Sequence, residues 1–103
     1  MIARFWRGVT AKSKAEEYFE YLKKTGLKDY RSTEGNHGVY VFRRYENDRA
    51  VFLLMSLWES YNAIKKFAGP DLEKAVYYPE DKDFLVELEP NVVHYEILAQ
   101  PKT

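Results

Sequence analysis

Few side chains in this sequence have both the type and the setting to do chemistry. His94 lies inside an apolar run, and an imidazole is the side chain whose ordinary pKa lets it gain and lose a proton near neutrality. Arg7 alternates with Ala3, Phe5 and Val9; if that face is buried, its permanent cation needs an anion, from protein or ligand, and otherwise it snorkels to the surface. Trp6, Trp58, Phe67, Tyr77 and Tyr78 supply flat surfaces on which a flat molecule could lie, or a core could pack. His37, beside Gly38 at the start of a strand, is expected to be exposed. The two histidines are far apart and lack patterned carboxylates, so the spacing gives no zinc motif.

These residues need elements to hold them. At 103 residues the chain supports a single domain, residues 1–103. Lys plus Arg equals Asp plus Glu at 16 each, so no global charge draws the chain to nucleic acid or membrane, and pairs such as Lys23-Lys24 and Arg43-Arg44 read as solvated surface. There is no cysteine, which removes disulfides and thiol nucleophiles and fits a cytoplasmic home. The start MIARFWRGVT lacks a signal peptide's apolar core, and no run is long enough to span a membrane. Aromatic content is high at 17%, as expected where an interface or pocket is lined.

Residues 2–10 read as a strand. Ser13 and Glu16 suggest a capping box for a helix carrying Ala15, Tyr18, Phe19 and Leu22, which Gly26 would end, and Leu27 to Asn36 reads as a loop. Residues 37–45 and 50–58 read as a hairpin across Glu46-Asn47-Asp48-Arg49. Ser60 caps a helix through Ile64 and Phe67, ended by Gly69-Pro70. Another helical turn is expected at Leu72, Ala75 and Val76, one more from Pro79 to Leu85, and a last strand from Val92 to Leu98. The order is β-α-β-β-α-β, a ferredoxin-like α+β fold with a four-stranded antiparallel sheet and two helices on one face.

Both faces of that sheet are apolar by alternation. Val51, Leu53, Met55 and Leu57 oppose Phe52, Leu54 and Trp58; Val39 and Val41 oppose Tyr40 and Phe42. The helices cover one face only, so the other is expected to meet a second copy in a homodimer, unless the segment from Tyr77 to Leu85 folds over it.

The opening MIARFW, the junction LWES with Ala63 and Phe67 after it, the stretch AGPDLEKAVYYPED and the closing VVHYEIL resemble the antibiotic-biosynthesis monooxygenase-type domains of the dimeric α/β-barrel superfamily. The likeness spans nearly the whole chain. It implies a pocket between sheet and helices, and sheets paired into a dimeric barrel. It also implies cofactor-independent oxygenation, in which a flat phenolic substrate loses a proton and its carbanion passes an electron to oxygen. In that reading no cofactor is needed, Arg7 stabilises the enolate or phenolate, His94 is the base, and Trp6, Trp58, Phe67, Tyr77 and Tyr78 form the walls. The family's haem-degrading branch uses an asparagine, a tryptophan and an iron-ligating histidine where this chain has Arg7, Phe67 and Tyr77, so all three positions depart. A non-catalytic binding or stress-response module of the same fold is the alternative. Single-stranded RNA binding shares the element order, but the third strand lacks the Lys/Arg-Gly-aromatic-Gly pattern.

Overall fold

The computed structural model describes residues 1–101. Strand β1 (Ile2–Ala11) leads through a short 3-10 turn (Lys12–Lys14) into α1 (Ala15–Lys24) and α2 (Gly26–Ser32). Strands β2 (Asn36–Glu46) and β3 (Arg49–Trp58) form the hairpin, followed by α3 (Tyr61–Ala68), a single turn α4 (Asp81–Phe84), and strands β4 (Leu85–Leu88) and β5 (Val93–Glu96). The sheet runs β2-β3-β1, and β4 and β5 share the remaining edge of β1: β4 pairs at Gly8–Thr10 and β5 at Ile2–Phe5. All pairs are antiparallel. The sheet is thus four strands wide, with its fourth position filled twice, and the fold is ferredoxin-like α+β.

The register separates the faces. Ile2, Arg4, Trp6, Gly8 and Thr10 of β1 lie with Ala50, Phe52, Leu54, Ser56 and Trp58 of β3, all buried. Against them pack Ala15, Tyr18 and Leu22 of α1, Leu27 and Tyr30 of α2, and Ala63 and Ile64 of α3. That is the core. The opposite face carries Phe5, Leu53 and Met55 half-buried, and Tyr40 and Tyr95 at 56% and 60% exposed. No element covers it, the Tyr77–Leu85 segment included. No described helix is long and apolar enough to cross a membrane.

Four local expectations change. No side chain caps α1, because residues 12–14 wind into the 3-10 turn and Lys14 takes the cap position; the Ser13–Glu16 capping box does not form. Gly26 does not end the helical region: Thr25 breaks α1, its Oγ1 donating to the Tyr21 carbonyl at 2.8 Å, and α2 restarts at Gly26 where a loop was expected. Leu27 and Tyr30, three apart, bury its inner face. Around Leu72, Ala75 and Val76 the chain is not helical. Its backbone is spent on the strand edge, through Ala75 N–H to the Pro90 carbonyl (2.9 Å) and Val92 N–H to the Glu73 carbonyl (2.7 Å). The expected last strand, Val92 to Leu98, appears as β5, the helical turn expected from Pro79 appears as α4, and β4, which no expectation covered, lies between them. The Ser60 cap does form, accepting from Ala63 N–H at 3.2 Å, and Gly69 closes α3 at φ 86°, where a glycine meets no Cβ penalty.

Gly8 has a separate reason to be glycine. A Cβ there would stand 2.9 Å from Trp6 Cζ3 and 3.1 Å from Leu85 Cδ2, inside the packed core. Gly8→Ala is therefore expected to lower unfolding free energy by about 1–3 kcal/mol through overpacking, measured by urea denaturation; an unchanged midpoint would show that Trp6 can move freely.

Candidate functional site

Because β1 is paired along both edges, Arg4 cannot turn away from the helices, and it is fully buried. Its Nη2 donates to the Lys74 carbonyl at 3.3 Å, and its guanidinium lies 5.4 Å from the centre of the Phe67 ring. Nε and Nη1 have no hydrogen-bond partner. The Tyr30 phenol acts on the guanidinium both by charge and as a neighbouring side-chain hydrogen-bond partner, yet it meets neither Nε nor Nη1 in hydrogen-bond geometry. Burial lowers the pKa of the guanidinium, and Tyr30 opposes the shift. Such burial is costly unless an anion answers it.

His94 faces Arg4 across the β1–β5 pair, an arrangement that holds side chains roughly 5 Å apart at Cβ. Its ring meets Tyr61 edge-on at 6.0 Å between centroids, and its Nε2 is buried without a partner. Burial first, and then the Arg4 charge, lower the imidazole pKa, with Glu73 opposing. His94 and Glu73 line an open groove of about 630 Å³ with Tyr61, Leu72 and Val92.

Toward the helices, Trp6, Tyr30, Phe67 and Tyr78 line a narrow void of about 10 Å³, room for one water at most. Trp6 Nε1 is also buried and unmet. The void is shut by the segment 70–80. Tyr78 donates its hydroxyl to Asp29 Oδ2 at 2.6 Å and its N–H to Asp81 Oδ2 at 2.6 Å, and Glu80 N–H donates to the Tyr21 hydroxyl at 3.0 Å. Asp81 is itself buried and accepts from Tyr18 Oη at 3.0 Å; burial raises its carboxyl pKa, and those two hydrogen bonds hold the shift down. Outside the segment lies a groove of about 290 Å³ that shares only Phe67, Val76 and Tyr78 with the inner void. Those three side chains are the partition.

The residues singled out in the sequence distribute as follows. Trp6, Phe67 and Tyr78 line the void. Trp58 stands behind Phe67 at 5.8 Å, fully buried, donating its indole N–H to Ser56 Oγ at 2.8 Å. Tyr77 meets Trp6 edge-on at 6.1 Å and donates its hydroxyl to the Glu89 carbonyl. Arg7 faces the uncovered side of the sheet, paired with Glu89 at 2.9 Å and Glu87 at 3.2 Å, so it does not share a face with His94. The arginine under the helices is Arg4, which sequence reasoning passed over. Its sign was the alternation itself, since Arg4 shares a face with Trp6, whereas Arg7 shares one with Phe5.

No family model matches the sequence, and no curated protein matches it. Solved structures do match in fold over nearly the whole chain. One from Bacillus cereus, named a putative antibiotic biosynthesis monooxygenase, superposes with a TM-score of 0.67 at 12% identity, covering 99% of this chain and 97% of its own. A second of that name from Nitrosomonas europaea gives 0.64 at 14% identity, covering 96% and 100%. The haem degrader MhuD from Mycobacterium tuberculosis, solved with two haems in its active site, gives 0.59 at 15% identity, covering 99% and 100%. The chain therefore has the antibiotic-biosynthesis-monooxygenase fold.

The lowered His94 pKa has a measurable consequence. The folded state releases this proton more readily than the unfolded chain, so the contribution is fully present above about pH 6.5 and is lost as pH falls through the folded pKa. The urea midpoint of the wild type is expected to fall between about pH 7 and pH 5.5 by more than that of His94→Gln. Equal falls in both proteins would show that His94 is not held neutral by its surroundings.

Proposed function

We propose that the chain is a homodimeric, small-molecule-binding protein of oxygenase type, whose ligand is a flat aromatic or phenolic compound held between the sheet and the helices. The observation that carries this reading is the aromatic lining of Trp6, Tyr30, Phe67 and Tyr78 around a narrow void between sheet and helices, with an unmet indole N–H among them. The void is too small for such a ligand while Tyr78 is latched, so binding requires the segment 70–80 to move. That segment has no helix to stiffen it, and its Tyr78–Asp29 bond is exposed.

In the proposed reaction the ligand reaches from the void past Arg4 to the groove that His94 lines, where His94 takes a proton from the ring CH₂ flanked by the phenol, and the carbanion reduces oxygen. Overall a CH₂ group and O₂ give C=O and H₂O: the carbon loses four electrons, one oxygen atom enters the product and the other leaves as water. No cofactor is required. Arg7 is assigned to the open sheet face, which with Phe5, Tyr40, Phe42, Val93 and Tyr95 is the surface a second copy would cover; its exposed apolar area favours a partner. Haem is not the ligand of this reading, because the void is far too small for it and the Tyr77 hydroxyl, at the iron-ligand position, donates to the Glu89 carbonyl. A cytoplasmic setting agrees with the absence of cysteine. The tightness of the void favours a second reading, a binding module of the same fold without turnover.

An oxygen electrode with anthrone, quenching of tryptophan fluorescence, and light scattering separate these readings. Oxygen uptake matching anthrone loss is expected of the enzyme, whereas saturable quenching without uptake would leave the module. Absence of quenching, or a monomeric mass, would overturn ligand binding or the dimer respectively. Tyr78→Phe, which removes the latch to Asp29, is expected to raise the association rate roughly two- to tenfold.

A further inference from the structure

Among the described residues, every buried side-chain nitrogen or oxygen without a hydrogen-bond partner belongs to Arg4, Trp6 or His94. These three share one sheet face: Arg4 and Trp6 are two apart on β1, and His94 is directly opposite Arg4 on β5. Buried polar groups are almost always satisfied, so four unmet atoms gathered on one patch of a sheet need a reason. Coincidental underpacking would scatter them.

Arg4 is the most costly of the group. It is 0% exposed, takes part in none of the ion pairs among the described residues, and has one hydrogen bond, to the Lys74 carbonyl. Asp81, the buried carboxylate among the described residues, does not answer it and is spent on Tyr18 and on the backbone of Tyr78. The Phe67 ring compensates the guanidinium over one side only. Its two free nitrogens still point charged N–H groups at no acceptor.

We infer that Arg4 is the receptor for a negatively charged oxygen of the ligand, assisted by the Trp6 indole N–H and with His94 left as the base, so that the site selects flat aromatic anions over their neutral counterparts. The anionic oxygen is that of a phenolate, an enolate or a carboxylate. This rests on the reading of the chamber as a ligand site and adds the class of ligand. It also gives the vacant donors their acceptor, because charge-assisted hydrogen bonds formed out of water are the strong ones.

The test compares three probes by quenching of tryptophan fluorescence at neutral pH: an ionised hydroxynaphthoquinone, its O-methyl ether, and naphthoate. Wild-type protein is expected to bind the ionised quinone roughly ten- to a hundredfold more tightly than the ether. Arg4→Met should bind both alike, and Arg4→Lys should keep part of the difference. Tight naphthoate binding would assign a carboxylate; preference for the quinone alone would assign a phenolate or enolate. Equal binding of all three to wild type overturns the anion receptor and leaves the chamber standing, whereas binding of none overturns the chamber reading and the inference with it. A second measurement needs no ligand. Removing an unpaired buried charge should raise the thermal midpoint of ligand-free Arg4→Met, and a lowered midpoint would make Arg4 a structural pillar and overturn the inference.

Discussion

Strand β1 is hydrogen-bonded along both edges, to β3 on one side and to β4 and β5 on the other, and this fixes which way each of its side chains points. A one-residue slip would turn Arg7 inward and Trp6 outward, and every partner strand resists it with its own buried set. The double pairing therefore drives a guanidinium under the helices, beside Trp6 and opposite His94. Aromatic packing from α2 and α3 then closes over it, through Tyr30 and Phe67. The site's polarity is a consequence of sheet register.

The cover over this patch is built differently from the core below it. The layer formed by Tyr18, Leu22, Trp58 and Ile64 is almost wholly buried. The segment 70–80 is held by the half-buried Leu72, Ala75 and Tyr77 and by a few polar attachments, chiefly Tyr78 to Asp29 and Asp81 and the short ladder to Pro90 and Val92. Hydrogen bonds exposed to water contribute little each, so this segment is held less firmly than the core below it. Asp81 ties the two layers together, since one of its oxygens holds Tyr18 in the core and the other holds the backbone of the cover.

Much of the architecture was legible because it rests on alternation and on a few punctuating residues. The opposed sets of β3, the hairpin over Asn47-Asp48, the Ser60 cap and the Gly69 stop all appear as the sequence implied. Helix α2 was hidden because Gly26 reads as a stop and only Leu27 and Tyr30 mark its buried face. Strand β4 was hidden because its four residues follow directly on the single turn α4, and tertiary pairing of Lys74 with Asn91 overrides the helical spacing of Leu72 and Ala75. At the site, the aromatic walls were visible as residue types, but which arginine lay beneath them was not. Arg4 and Arg7 each alternate with apolar neighbours, and only the placement of the helices tells their faces apart.

The most direct measurement is the ¹⁵N–¹H resonance of Arg4 Nε, recorded with and without a saturating flat aromatic anion. A buried N–H without an acceptor should give a sharp signal slow to exchange with solvent, and it should move strongly downfield when the anion binds. If that resonance stays in place while others shift, the ligand lies elsewhere and Arg4 is not its receptor. If the free protein's signal exchanges as fast as that of an exposed arginine, the guanidinium is not buried as described and the account of the site fails.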